Sequence, residues 1–319
     1  MKPFKTYNQQ LRILRNRGLI ISNGSKAIRI LERENYYTLI NGYKFFFLER
    51  DSSGKPVSPE RYKSGTTFEE IYTLFLFDRE LRNCILEYLL IFESSIKTKL
   101  SYRFSERFKE AHDYLIYKNY TNDPLKTKDV LSVIATLSST LKSKSKNQTI
   151  KHYLDIHGSV PLWVLVKYLS FGNLNYLYGT YSETLRNTIA KDFSIAYKRD
   201  YKESIHITPD ILDSIFQSAN FYRNVCAHEE RLYNFRIRKK PSIRAISNIL
   251  NIPQSDINNG NLFSMLAFLK LVLTKKDYSK LLNRLNKLFC SYSTKLTSVE
   301  FSDIMLEMGF DENWMEKLK

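Results

Sequence analysis

Glycine and proline are scarce in this sequence, ten and eight in 319 residues, far below their usual combined share of about 12%. That makes collagen-like repeats, glycine-rich phosphate loops and turn-dense β-sandwiches poor fits, and a mostly helical chain the best one. Cysteine occurs three times, at Cys84, Cys226 and Cys290. An odd number with no close pair points to reduced thiols and a cytoplasmic setting rather than a disulfide framework. No apolar run approaches the ~18 residues of a membrane span, and the opening residues lack the apolar core of a secretory signal, so no membrane partner is expected. Histidine is limited to His112, His152, His157, His206 and His228, with no pair at the i, i+4 spacing of a zinc-binding helix. Cys226 and His228 form one C-x-H, but no second ligand pair follows at a zinc spacing. Neither a metal nor a cofactor is expected. The chain also has no P-loop, dinucleotide fingerprint or G-x-S-x-G, which leaves nucleoside-triphosphatase and serine-hydrolase readings without support.

What is present is aromatic and basic. Twenty-two tyrosines, twenty phenylalanines and two tryptophans stand within a 43% hydrophobic composition, ample for a core and too much for a disordered chain. Lysine and arginine total 49 against 33 acidic residues, a formal charge of +16. Such an excess suggests a polyanionic partner, nucleic acid foremost; a basic surface serving solubility alone is the plain alternative.

Along the chain, Thr6 with Gln9 reads as a capping box opening a helix that Gly18 closes. A second short helix starts near Ser25. The segment 51–65, with Ser52, Ser53, Gly54, Pro56 and Pro59, reads as a polar connector, so residues 1–65 form an N-terminal helical and aromatic region. From Thr67 to about Arg107 there is neither glycine nor proline. Leu74, Leu81, Ile85, Leu89, Phe92, Ile96 and Leu100 hold a helical period over this stretch, which predicts one long helix organising a bundle across 66–290. Asn119–Lys128 reads as a loop, and the run Lys142–Lys151 as a basic loop or a helix end. Pro161 starts a helix that Phe171-Gly172-Asn173 interrupts. Pro209–Tyr222 leads into the segment of greatest interest, two helices follow at about 262–273 and 278–290, and 291–319 form a short tail.

That segment is Arg223-Asn224-Val225-Cys226-Ala227-His228, which fits the R-x4–6-H pattern of HEPN ribonucleases. By itself the pattern is weak. On a helix, Asn224, His228 and Arg231 at i, i+4, i+7 share a stripe, and Arg223 lies about 140° from His228 but is long enough to reach a shared pocket. RNA cleavage without a metal needs a proton shuttle and a cation for the phosphorane charge. His228 suits the first role and Arg223 the second, with Asn224 as an orienting hydrogen-bonder. The competing reading is a local Asn–His pair with solvated arginines. Arg236, Arg238, Lys239, Lys240 and Arg244 follow and could contact phosphates together with Arg231, or form a solvated face. Asp78, Arg79 and Arg82 read as a buried or interfacial ion-pair network. Glu93, in the middle of the long helix, could orient Arg223 or His228.

The chain resembles the AbiD/AbiF-type abortive-infection proteins of bacterial phage defence nearly end to end. The matching blocks are Lys2-Pro3 with Thr6-Tyr7 and Gln10, then Arg17-Gly18-Leu19, Asn35-Tyr36-Tyr37 and Gly42-Tyr43. Phe77-Asp78-Arg79 with Leu81-Arg82 comes next, then Glu93, and Pro161-Leu162-Trp163 through Phe171-Gly172. Arg223-Asn224 to Ala227-His228 with Arg231, Tyr233 and Asn234 is the most telling block, and Met308-Gly309-Phe310 with Trp314 is the last. Thr38 and Lys97 stand where arginine is expected. The resemblance implies an all-α HEPN-like helical bundle with small helical additions at both ends. It also implies a homodimer with a composite site, and an endoribonuclease bound to or regulated by a small structured non-coding RNA. Among Tyr36, Tyr37, Tyr43 and Phe45–Phe47, a few rings are expected to touch RNA. Two alternatives stand beside this: a non-catalytic RNA-binding protein, and a toxin regulated by modification near the motif, with Tyr233 as acceptor.

Overall fold

The computed structural model describes residues 3–238 and 243–319; Lys2, Lys239, Lys240 and Pro241 lie outside the described residues. Among the described residues there is no strand or sheet, only three isolated bridges that tie the 48–67 stretch together and to Ile20. The all-α expectation holds.

In the N-terminal region, α1 (Tyr7–Asn16) starts on the Thr6–Gln9 capping box, and Gly18 follows its end at φ +90°. Helix α2 (Gly24–Glu34) is capped by Asn23, two residues before the expected start. A π-helical turn (Tyr37–Asn41) and a 3-10 turn (Phe45–Phe47) lead into the irregular 48–67 segment, which hydrogen-bonds back to Arg17, Ile20 and Phe47.

Helix α3 (Phe68–Arg107) runs unbroken for 40 residues, about 60 Å, from a second capping box formed by Thr67 and Glu70. It is buried on most of its circumference because neighbours surround it. Next come α4 (Thr127–Lys144), α5 (Gln148–His157), α6 (Leu162–Leu165), α7 (Phe171–Thr180), α8 (Glu183–Tyr201) and α9 (Pro209–Ala227). The chain closes with α10 (Ile243–Leu250), α11 (Gln254–Ile257), α12 (Leu262–Lys270), α13 (Lys275–Ser293), α14 (Phe301–Met308) and α15 (Trp314–Leu318). Helices α6, α7, α8, α9 and α13 pack around α3.

Three local expectations need correction. Phe171-Gly172-Asn173 does not interrupt a helix: it begins α7, because the Ser170 hydroxyl accepts from Asn173 N at 3.2 Å. The break falls earlier, at Leu169 and Ser170. The basic run 142–151 resolves as two helix ends, α4 stopping at Lys144 and α5 starting at Gln148 under an Asn147 cap. The last segment is no simple tail. Phe301 packs edge-on against Phe77, while Phe310 and Trp314 pack on Phe289. Glu70 also fastens it, accepting from Thr297 N and Ser298 N at 2.7 Å each.

Candidate functional site

Helix α9 carries the motif. The Thr208 hydroxyl caps its first turn and Pro209 occupies the first helical position, where a missing N–H costs nothing. Its buried face includes Leu212, Ile215, Phe216, Ala219, Tyr222 and Cys226, and the helix packs against α3, α7, α8 and α12. The exposed edge carries Phe221, Asn224 and, at the cap, His228.

The helix ends at Ala227 for a definite reason. His228 N donates to Asn224 O at 2.9 Å, Glu229 takes a left-handed conformation at φ +55°, and Glu230 N donates to Val225 O at 3.0 Å. This is the six-to-one closure of a Schellman turn, with glutamate at the position glycine usually fills. A non-glycine there is uncommon, so something must hold the chain beyond it.

Asp78 does. It is fully buried on α3 and its carboxylate accepts from Arg82 Nη1 at 2.5 Å, Tyr43 Oη at 2.7 Å, Tyr233 N at 2.8 Å and Leu232 N at 3.1 Å. Arg82 Nη1 also donates to Glu230 O at 3.2 Å. Burial pushes the Asp78 pKa up, and Arg82, Tyr43 and the two backbone donors oppose that; since every partner is a donor, the geometry accepts the ionised form. Burial likewise raises the Tyr43 hydroxyl well above its ordinary range, keeping it a donor. This is the ion-pair network expected of Asp78 and Arg82. Arg79 stands apart from it, paired with Glu34 at 2.6 Å.

The same turn overturns one expectation. Arg231 leaves the helix and does not share a stripe with Asn224 and His228. Its Nη1 donates to Gly42 O at 2.9 Å, and Tyr233 Oη donates to the same carbonyl at 3.3 Å. A Cβ on Gly42 would stand 3.4 Å from Arg231 Cδ, so this glycine lets the arginine lie across it. Tyr233 is 1% exposed, its hydroxyl turned inward, which removes it as an accessible modification acceptor.

Arg223 sits at the α3–α9 seam, beside Glu93. Its Nε lies 3.6 Å from Glu93 Oε2, an ion pair too long for a hydrogen bond. Glu93 Oε1 accepts from Lys97 Nζ at 2.8 Å. Both Arg223 Nε and Glu93 Oε2 are buried atoms with no hydrogen-bond partner among the described residues. Glu93 therefore stands next to Arg223 and not next to His228. The imidazole of His228 is exposed at the helix end, and no hydrogen bond joins it to Arg223 among the described residues. An exposed imidazole can exchange protons with a ligand, and a guanidinium held only by a long ion pair can turn its planar fork to a phosphate.

The remaining candidates separate. Arg236 pairs with Glu307 at 3.0 Å, Arg238 and Arg244 are exposed, and Lys239 and Lys240 lie outside the described residues. Cys226 is buried, its thiol pushed up to about 12 by burial, which disfavours the thiolate a metal would need. No cluster of metal-ligating side chains occurs among the described residues. No helix there is long and apolar enough to cross a membrane. Of the aromatic residues expected near RNA, Tyr43, Phe46 and Phe47 are core, while Tyr37 and Phe45 are exposed at 74% and 43%.

Sequence reasoning missed two features. Tyr43 and Gly42 fasten the loop after the motif, though only their place in a matching block marked them. Phe221 is 48% exposed on the motif helix; its signal was an aromatic residue three positions before Asn224, off the buried stripe.

The family model described as Abi-like protein matches residues 29–234, which spans both the Asp78 clamp and the Arg223–His228 motif. No curated protein and no solved structure matches the chain. With well over half of its length matched, the chain belongs to the Abi-like protein family.

Proposed function

We propose that this protein serves phage defence of the abortive-infection type as a HEPN-like, metal-independent endoribonuclease. The observation that supports the reading is that the last turn and cap of one helix carry an exposed histidine, His228, and a guanidinium, Arg223, that makes one long ion pair and no hydrogen bond among the described residues. In the reaction, His228 accepts the proton of a ribose 2′-hydroxyl as its oxygen attacks the adjacent phosphorus. The bond to the 5′-oxygen breaks, and that oxygen leaves with a proton, giving a 2′,3′-cyclic phosphate and a 5′-hydroxyl. Arg223 neutralises the phosphorane charge, and Asn224, one edge position away, orients the phosphate.

One histidine can act as base or acid, and the reaction needs both. A second copy would bring a second His228 to the same site. Exposed apolar side chains on the two helices favour such a homodimer: Phe221 on α9 and Leu90 and Ile91 on α3 are exposed at 48%, 44% and 37%. The +16 charge suits a small structured non-coding RNA as regulator or a target RNA as substrate. The three free cysteines suit the cytoplasm.

The test is incubation of purified protein with a labelled RNA in the presence of a metal chelator. The reading expects fragments ending in cyclic phosphate, and a dimer by light scattering. Tight RNA binding with no fragments from wild-type protein would favour a non-catalytic RNA-binding member of a toxin–antitoxin-like particle.

A further inference from the structure

A groove of about 1030 Å³ runs along the C-terminal half of α3, bounded by the 108–114 turn and the start of α6. It begins beside the candidate site. Ser94 and Lys97 line it, and Lys97 holds Glu93, which stands against Arg223. Two large aromatic side chains line it as well, Tyr102 from α3 and Trp163 from α6, exposed at 59% and 57%. Neither belongs to the core. Each presents ring surface to solvent, Tyr102 with the Arg103 guanidinium 5.4 Å from its centroid, and an unstacked base can lie on such a ring.

The charges say what kind of nucleic acid fits. Lys97, Lys109 and Lys167 line the groove with Glu106, Glu110 and Asp113. Arg103 pairs Glu106 at 2.6 Å, and Asp113 accepts from Glu110 N at 2.7 Å and from Asn119 Nδ2 at 3.1 Å. With Lys97 committed to Glu93, Lys109 and Lys167 remain for phosphates, against Glu110. Two phosphate contacts are too few to lead the binding of a duplex, whose bases are already stacked inside it. Two stacking rings with two lysines suit an unpaired strand.

We propose that this groove binds single-stranded RNA, its bases on Trp163 and Tyr102 and its phosphates at Lys109 and Lys167, so that the strand runs on from Arg223. The link to cleavage rests on the ribonuclease reading; the binding does not.

The test uses the full chain carrying His228→Ala, so that RNA stays intact, and a twelve-nucleotide oligouridylate. Of the two tryptophans, Trp314 is only 4% exposed, so added oligonucleotide should quench the Trp163 emission. A matched duplex should not. Trp163→Ala should weaken binding of a labelled oligouridylate about 5- to 150-fold, the range expected for one base–ring stack, with an unchanged melting temperature. Trp163→Phe should keep most of the affinity and lose the quenching. No quenching by the single strand, equal quenching by duplex, or unchanged affinity in Trp163→Ala would overturn the proposal. A Trp163 emission change on protein concentration alone would assign the groove to a second copy and overturn it too. Quenching by a protein whose wild type cuts no RNA would support the groove and count against the ribonuclease reading. Cleavage without quenching would do the reverse.

Discussion

The Asp78 cluster, which ties α3 to the loop after α9, and the Arg223–His228 edge at the end of α9 are built on opposite principles. Around Asp78 the donors converge: four of them meet one carboxylate, and Arg82 Nη1 reaches on to Glu230 O. At the edge, polar groups are held back. Arg223 Nε and Glu93 Oε2 face each other without a hydrogen bond, and His228 points to solvent. The saturated cluster fixes the chain two residues beyond His228, and that is what allows the edge to keep unspent donors without losing its geometry. Satisfied polar networks stiffen a fold.

The comparison can be broken at its stable half first. Asp78→Ala leaves Arg82 buried and unpaired and should cost about 3–5 kcal/mol, read by denaturant unfolding. The same truncation at exposed Asn224 should stay within about 0.5 kcal/mol. Equal losses at the two positions would erase the distinction. Tyr43→Phe removes a buried donor to a charged acceptor and should cost about 1.5–3 kcal/mol in the same measurement.

A third prediction concerns acid. Burial works to raise the Glu70 pKa, but the backbone N–H groups of Ser298, Thr297 and Thr67 together hold it below its ordinary 4.5. A carboxyl depressed in the folded state contributes stability that is complete above about pH 4.5 and is lost as pH falls through the folded value. Glu70→Gln should therefore flatten the acid limb of a stability–pH curve below that point and loosen the last segment. An unchanged acid limb would show that Glu70 does not fasten it. The smallest effect belongs to the edge. Glu93→Gln removes the charge of a buried carboxylate that Lys97 bridges at 2.8 Å and Arg223 pairs at 3.6 Å, but its amide oxygen can still accept from Lys97, so stability should change by at most about 1.5 kcal/mol, while the rate of RNA cleavage alters through the position of Arg223. A loss of several kcal/mol would mean that Glu93 is a structural partner after all.

Much of this was legible in the sequence where the cause is local. The Thr6–Gln9 box, the forty residues of α3 without glycine or proline, and the buried reading of Asp78 and Arg82 all follow from neighbours within a few positions. The end of α9 was not legible. It depends on Glu229 adopting a left-handed backbone and on a carboxylate 154 positions from Leu232 in sequence, so a helical stripe drawn through Asn224 and His228 ran on wrongly to Arg231. The start of α7 failed for a smaller reason: a glycine reads as a breaker, but the Ser170 hydroxyl caps a helix across it. Placing Glu93 beside Arg223 rather than His228 needed the α3–α9 packing.

The central claim is that His228 moves the proton while the Asp78 cluster, not His228, holds the fold. The direct measurement is the rate of RNA cleavage by wild type and His228→Ala at equal concentration, with melting curves recorded on the same samples. The account predicts a loss of about 10²–10⁴-fold in rate with melting temperature and RNA affinity nearly unchanged. Cleavage at the wild-type rate, or a large fall in melting temperature, would contradict it.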